Sequence, residues 1–317
     1  MRPPSFWERD GVLPRALAPV AAVVAAATAR RVARPGWHAP VPVLCCGNAG
    51  LGGAGKTTVV LDLARRLKRR GVDVHCLTRG YGGRVRGVMR VRPDLHPADL
   101  VGDEPLLLAA LAPTWAGADR VAAARAAVEA GAGLLLMDDG LQNGTLAKNA
   151  SLLVIDGATG FGNGRVVPAG PLREAAAAAA ARCRAGILIG ADEHGARAAL
   201  PSLPLLEARL VPDRRLDAVR AFAFSGIGRP AKFHATLRDA GADVVGAAAF
   251  PDHHRFSDRE LGRVLSEAAR LHATPITTPK DAVRLPSSVR AQVDVLGVGL
   301  RWCDEAALEG LLQDILE

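Results

Sequence analysis

Residues 50 to 57 read Gly-Leu-Gly-Gly-Ala-Gly-Lys-Thr. This fits G-x-x-x-x-G-K-[ST], a spacing that holds the phosphates of a nucleotide. Glycines let successive backbone N–H groups turn toward one anion, and the helix that follows adds the partial positive charge of its N-terminus. In such a loop Lys56 reaches the β- and γ-phosphates and the Thr57 hydroxyl ligates Mg²⁺. The chemistry requires a buried strand before the loop and a helix after it. Val41 to Cys46 is an apolar run of strand type, and VVLDLARRLKRR after Thr58 has helical periodicity. A glycine-rich turn that matched by chance would lack that context. The nucleotide-binding set is therefore Asn48, Gly50, Leu51, Gly52, Gly53, Ala54, Gly55, Lys56, Thr57 and Thr58.

Further carboxylates and histidines could complete the chemistry. Leu134 to Met137 is an apolar run ending in Asp138-Asp139-Gly140-Leu141-Gln142. A strand ending in Asp downstream of a phosphate loop has the layout of a Walker-B element. Two adjacent carboxylates do not suit a core, because unpaired burial is costly. A metal-binding or catalytic role is favoured over a solvated turn. Asp103 and Glu104 precede an apolar helix, Leu106 to Leu111. Acids at a helix start are explained by the macrodipole alone. His253 and His254 suggest a metal, a proton-handling imidazole beside a carboxylate, or a plain surface turn. No further Cys or His stands at zinc spacing, and spacing alone leaves the choice open.

The elements that must position these residues alternate between strand and helix. Val72 to Leu77, Leu152 to Ile155 and Ile187 to Ile189 read as buried strands. The stretch 157 to 173, GATGFGNGRVVPAGPLR, is a long Gly/Pro-rich loop carrying Phe161, Arg165 and Arg173. Unstructured loops of that length are often functional, and this one suits a substrate-facing role. Around 200 to 220 the pattern changes to linking strands. A second α/β set follows, with strands at Ala221 to Phe224 and Val244 to Phe250 and a helix at 231 to 240. Ser257 and Glu260 have capping-box spacing ahead of a helix running to about Leu271. Val293 to Val298 reads as the last strand and 304 to 316 as the last helix. The expected fold is α/β: a P-loop NTPase-like, mostly parallel sheet with helices on both faces, plus a smaller α/β C-terminal lobe. The expected division is 1–35 as an N-terminal membrane-associating helical segment, 36–205 as the P-loop domain and 206–317 as the second lobe.

Composition bounds the rest. The 317 residues are 49% hydrophobic, enough for a sizeable core, and the net charge of +8 suits acidic partners without choosing among them. Nucleic-acid binding rests on that charge alone, since no aromatic stacking platform or DNA-binding motif accompanies it. Cys45, Cys46, Cys76, Cys183 and Cys303 are scattered without C-x-x-C or metal spacing, as expected of reduced thiols in the cytosol. Ala16 to Ala29 is an apolar run flanked by Arg15, Arg30, Arg31 and Arg34. It is too short to span a bilayer and lacks a signal-peptide layout. A buried helix and an interfacial helix both fit it.

Taken together, these stretches resemble the tetraacyldisaccharide 4′-kinase family, the lipid A 4′-kinases of Gram-negative bacteria. The match is carried by GNAGLGGAGKT at 47–57, TRGYGG at 78–83, VGDEPLL at 101–107, DDGLQ at 138–142 and DG-x-x-GFGNGRVVPAGPLRE at 156–174. It continues through FSGIGRP at 224–230, FPDHHRF at 250–256 and TPKDAVRL at 278–285. The resemblance implies transfer of the ATP γ-phosphate to the 4′-hydroxyl of an acylated, 1-phosphorylated glucosamine disaccharide. It implies a peripheral or monotopic enzyme on the cytoplasmic face of the inner membrane, with no nucleic acid and no obligatory protein partner. It makes Asp103 the general base paired with His253. It puts Thr57 and Glu104, with Asp138 or Asp139, around Mg²⁺, and sets Arg173 against phosphate charge.

Two departures from the family pattern stand out. The His that usually follows DDGLQ is Asn143, and 144–149 read GTLAKN. The usual Pro after GKT is Thr58, which makes GGAGKTT resemble the phosphate loop of MinD/ParA-type ATPase switches. Those partner- or membrane-regulated ATPases are the competing class. They carry a second lysine where this chain has Leu51, and they lack the PAGPLR loop and a DHH-bearing lobe.

Overall fold

The computed structural model describes residues 4 to 316. Strands β1 (Val43–Gly47), β2 (Val74–Thr78), β3 (Val88–Arg90), β4 (Thr114–Gly117), β5 (Leu134–Asp138), β6 (Ala150–Asp156), β7 (Ala185–Ile189) and β8 (Leu205–Pro212) lie in one sheet. Strands β9 (Arg220–Ser225), β10 (Asp243–Ala249), β11 (Thr274–Thr277) and β12 (Asp294–Val295) form a second, and β13 (Val298–Trp302) returns to the first. The first sheet has the order β13-β8-β7-β6-β1-β5-β2-β4-β3. It is parallel except at its two edges, where β13 runs against β8 and β3 against β4. The second sheet, β10-β9-β11-β12, is parallel throughout.

Parallel strands with both faces covered read as unbroken apolar runs, which is why β1 and β5 were legible. Alternate residues of β1 point to opposite faces. Leu44 and Cys46 join the core of the helix Lys56–Arg69 through Val59, Val60, Leu63 and Leu67. Val43 and Cys45 join Ala123, Ala124 and Ala127 of the helix Arg120–Glu129 on the other face. The expected α/β architecture, with helices on both faces, is what the chain forms.

Three expectations change. The run Val293 to Val298 splits into β12 and β13, which belong to different sheets. Between them Gly297 accepts from Asp213 N (3.1 Å) and donates to Asp213 Oδ2 (3.2 Å), where the chain crosses between lobes. The boundary at 205/206 moves for the same reason. β8, β13 and the helix Glu305–Leu316, through Leu308 and Leu312, all build the first lobe. The second lobe is the insertion between those crossings, about 213 to 297. Finally β3, β4 and the helix Arg120–Glu129 carried no clear periodicity and were not anticipated.

The N-terminal segment forms helices Val12–Ala16 and Ala18–Val32. One side joins the core: Ala21, with Leu17, Val24 and Ala25, clusters with Leu153, Ile155 and Leu188. Trp7 Nε1 donates to Pro168 O at 3.0 Å, tying the segment to the long loop. The other side leaves Val12, Leu13, Val20 and Val23 exposed. Among the described residues, no helix is long and apolar enough to cross a membrane.

Candidate active site

The phosphate loop leaves the end of β1 and enters the helix at Lys56. Gly55 sits at φ 85°, and a Cβ there would lie 2.8 Å from Ile189 Cδ1, so this turn requires glycine. Lys56 Nζ folds back over the loop, donating to Asn48 Oδ1 at 3.0 Å and lying 3.7 Å from Asp139 Oδ1. The Leu51 amide already donates to Pro171 O at 2.8 Å. Leu51, placed in the nucleotide set by position, is therefore not among the amides free to meet a phosphate in this arrangement.

Adjacent Asp138 and Asp139 have separate partners. Asp138 ends β5, is 2% exposed, and accepts from Thr57 Oγ1 at 3.0 Å. Its other oxygen, Oδ1, is buried without a partner. Burial, and then the nearby charge of Glu104, push its carboxyl up to about 7. An orphaned buried oxygen beside a threonine hydroxyl is a fitting donor set for Mg²⁺. Among the described residues no three His, Cys, Asp or Glu converge to hold a metal by themselves. Asp139 has φ 53°, which turns it away from Asp138. Burial would raise its carboxyl, but Lys56 and Arg173 outweigh burial and lower it.

The DDGLQ and PLRE stretches mesh beside the phosphate loop. Arg173 grips Asp139 with two hydrogen bonds, 2.9 and 3.1 Å, and reaches Gln142 Oε1 at 3.2 Å. Gln142 Nε2 donates to Asn48 O at 2.9 Å and to Glu174 Oε1 at 2.8 Å. Arg173 N also donates to Ala49 O at 2.7 Å. The long loop is thus laced to the phosphate loop through backbone and side chain alike. Asn143, in place of the family's His, accepts from Thr145 N and Leu146 N, both at 3.2 Å, and caps a turn.

The second lobe supplies the opposite wall. Gly102, at φ 91°, has no room for a Cβ, which would lie 2.4 Å from Tyr81 O. That turn delivers Asp103 as the first residue of the helix Asp103–Ala109. Asp103 is 5% exposed and meets His253 Nδ1 at 2.8 Å. Arg284 Nε donates to its Oδ1 at 2.7 Å and Nη2 donates to its Oδ2. Burial would raise the Asp103 carboxyl, but these partners outweigh burial and hold it at about 2. Lys280 Nζ lies 3.2 Å from His253 Nε2 and 3.8 Å from Glu104 Oε1. Glu104 thus lies between a second-lobe lysine and the Asp138 carboxylate, whose ionisation it opposes.

Of the residues expected from sequence, Asn48, Lys56, Thr57, Asp138, Asp139 and Arg173 are connected around the phosphate loop. Asp103, Glu104 and His253 converge where the lobes meet. His254 is elsewhere: it pairs with Glu260 at 3.1 Å and stacks on Phe250. The expected capping box of Ser257 and Glu260 is present. Sequence reading gave no roles to Lys280, Arg284, Gln142, Glu174 and Arg120. All but Arg120 lie within the motif stretches, so the signal was there without a direction. Arg120 is buried, and burial lowers its guanidinium to about 10 despite the nearby charges of Asp138 and Asp139. A second cross-lobe contact joins buried Asp156, at the end of β6, to Arg229 and to Lys232 at 3.4 Å.

Comparison with known proteins bears on this site. The family model described as tetraacyldisaccharide-1-P 4′-kinase matches residues 13–317. A tetraacyldisaccharide 4′-kinase of Rhodospirillum centenum is 52% identical, covering 100% of this chain and 97% of its own length. One of Gluconacetobacter diazotrophicus is 55% identical, covering 98% and 97%. The crystal structure of LpxK from Aquifex aeolicus in complex with ATP superposes with a TM-score of 0.77 at 25% identity, covering 96% of this chain and 100% of that one.

Proposed function

This chain belongs to the tetraacyldisaccharide-1-P 4′-kinase family, and on that premise we propose how its cleft carries out the reaction. The protein is an ATP-dependent kinase that phosphorylates the 4′-hydroxyl of tetraacyldisaccharide 1-phosphate, forming lipid IVA on the way to lipid A. The reading as a MinD/ParA-like switch gives way to the family match over nearly the whole chain.

In our reading Lys56 leaves Asn48 and Asp139 for the β- and γ-phosphates, joined by the free loop amides. Arg173, oriented by Asp139 and Gln142, steadies charge on the transferring phosphoryl group. Thr57, Asp138 and Glu104 would hold Mg²⁺, which when bound neutralises triphosphate charge. The Asp103–His253 pair accepts the proton of the 4′-hydroxyl as its oxygen attacks phosphorus in line. Because the pair comes from opposite lobes, closure and base assembly coincide, and water is excluded as a competing nucleophile. The observation that carries this reading is the 2.8 Å contact of Asp103 with His253, made between residues of the two lobes.

We further propose a peripheral or monotopic position on the cytoplasmic face of the bacterial inner membrane, where the acylated disaccharide resides. Exposed Val12, Leu13, Val20 and Val23, with exposed Arg15, Arg30 and Arg31 beside them, suit an apolar face in the lipid boundary and arginines on anionic headgroups.

The test is label transfer from γ-labelled ATP to detergent-solubilised tetraacyldisaccharide 1-phosphate with Mg²⁺. Label in the lipid phase, lost in Lys56→Ala, is the expected result. Label released only as free phosphate would overturn it.

A further inference from the structure

Arg284 lies where the two lobes meet, its side chain 6% exposed. We propose that Arg284 is the positioning residue of the Asp103–His253 pair, and that it holds the pair in working geometry only when the lobes are together. The inference rests on the phosphotransfer reading above.

One edge of the guanidinium, Nε and Nη2, takes both oxygens of Asp103. A two-pronged grip fixes the plane of a carboxylate as well as its place. It leaves Oδ2 directed at His253 Nδ1, 2.8 Å away. The remaining arm, Nη1, donates to Gly226 O at 3.3 Å and to His254 O at 3.4 Å. Those carbonyls belong to the two loops that present His253. The His253 amide itself donates to Gly226 O at 3.1 Å, and His253 stands at φ 58°, a conformation a non-glycine residue holds only when its surroundings impose it. One side chain therefore fastens both members of the pair.

Arg284 is itself fixed. Its Nη1 donates to Asp281 Oδ1 at 3.1 Å. Asp281 is fully buried and accepts from Gly226 N at 2.9 Å and Thr278 Oγ1 at 2.6 Å. Arg284 and His253 belong to the second lobe and Asp103 to the first. Parting the lobes removes both partners from Asp103 at once. A lysine would supply the charge without the fork, so it could not set the carboxylate plane.

The experiment uses the full chain with ATP, Mg²⁺ and micellar tetraacyldisaccharide 1-phosphate, comparing Arg284→Lys, Arg284→Gln, His253→Ala and the doubles. Arg284→Lys is expected to lower kcat by about 10-fold to 100-fold, part of the roughly 10²–10⁴ that a positioned base contributes, with the KM for ATP unchanged. Arg284→Gln is expected to lower it further, so that lysine rescues in part. In the His253→Ala background the same Arg284→Lys change is expected to cost under about twofold, because the Asp103–His253 geometry that Arg284 sets no longer exists there. A purely structural role would give the same factor in both backgrounds, which would overturn the inference. Wild-type kcat in Arg284→Lys would overturn it as well, and that variant keeps the buried charge should Arg284→Gln not fold. Absence of transfer by the unchanged protein would sink both readings. Full transfer with an indifferent Arg284→Lys would sink this one alone.

Discussion

The Asp103 carboxylate and the His253 imidazole approach to 2.8 Å from opposite lobes, 150 residues apart in the chain. Asp103→Asn and His253→Ala are each expected to lower kcat by about 10²–10⁴, with nucleotide affinity preserved, as read by label transfer and ATP titration. Asparagine is the better probe than alanine. Alanine takes away both oxygens that Arg284 grips and leaves Asp281 as its one charged partner, a break in a buried pair that costs about 3–5 kcal/mol, whereas asparagine keeps one acceptor oxygen in place. A near-normal kcat in either variant would remove that residue from proton transfer.

Lys56 is held by Asn48 and Asp139, contacts that it would exchange for phosphate in the proposed mechanism. Lys56→Ala is expected to cut turnover by at least about 10²-fold, the scale of losing one fixed charge-stabilising group. Its melting temperature should stay near that of the unchanged protein, because Asn48 retains its link to Gln142. Turnover within threefold of the unchanged enzyme would contradict the assigned role.

Asp138 strains the ligand-free fold. Its folded carboxyl titrates at about 7, well above its ordinary value of 3.8. The folded state therefore binds the extra proton between those values. Stability from this group is fully present below the unfolded value and is lost as pH rises through about 7. Asp138→Asn is expected to stabilise the metal-free, nucleotide-free protein near pH 8, on the order of a few kcal/mol, and to give no gain near pH 4. Thermal melts at both pH values measure this. Equal melting temperatures for the two proteins near pH 8 would refute it. The same substitution should abolish transfer.

The exposed side of the N-terminal helices makes a separate prediction. Val20→Ser with Val23→Ser is expected to weaken co-sedimentation with anionic vesicles while leaving kcat on micellar substrate within about twofold, since both side chains are exposed and belong to no buried cluster. Added salt should weaken the binding of the unchanged protein too, because Arg15, Arg30 and Arg31 would act on headgroups through a screened field. Vesicle binding that ignores both changes would count against this surface.

Much of the site was legible because its parts are local. A phosphate loop, an acid at a strand end and a capping box each follow from a few neighbouring residues. The different duties of Asp138 and Asp139 were not legible, since they depend on the φ of 53° at Asp139 that aims two like side chains apart. His253 and His254 part company for the same reason, at φ 58°. Arg284 lay inside a noted motif, yet its partner is 181 residues away and on the other lobe, so no local pattern pointed to it. The return of β13 to the first sheet was hidden because a strand's sequence does not say which sheet it will join.

The paired crossings at Asp213 and Gly297 have a mechanical consequence. Two tethers side by side, continuing the antiparallel β8–β13 ribbon, suppress the twisting that a single flexible linker would permit. Such a pair of tethers resists twist more than it resists a swing across the ribbon. Lobe movement restrained in that way favours the orientation in which Asp103 and His253 meet over others of similar extent.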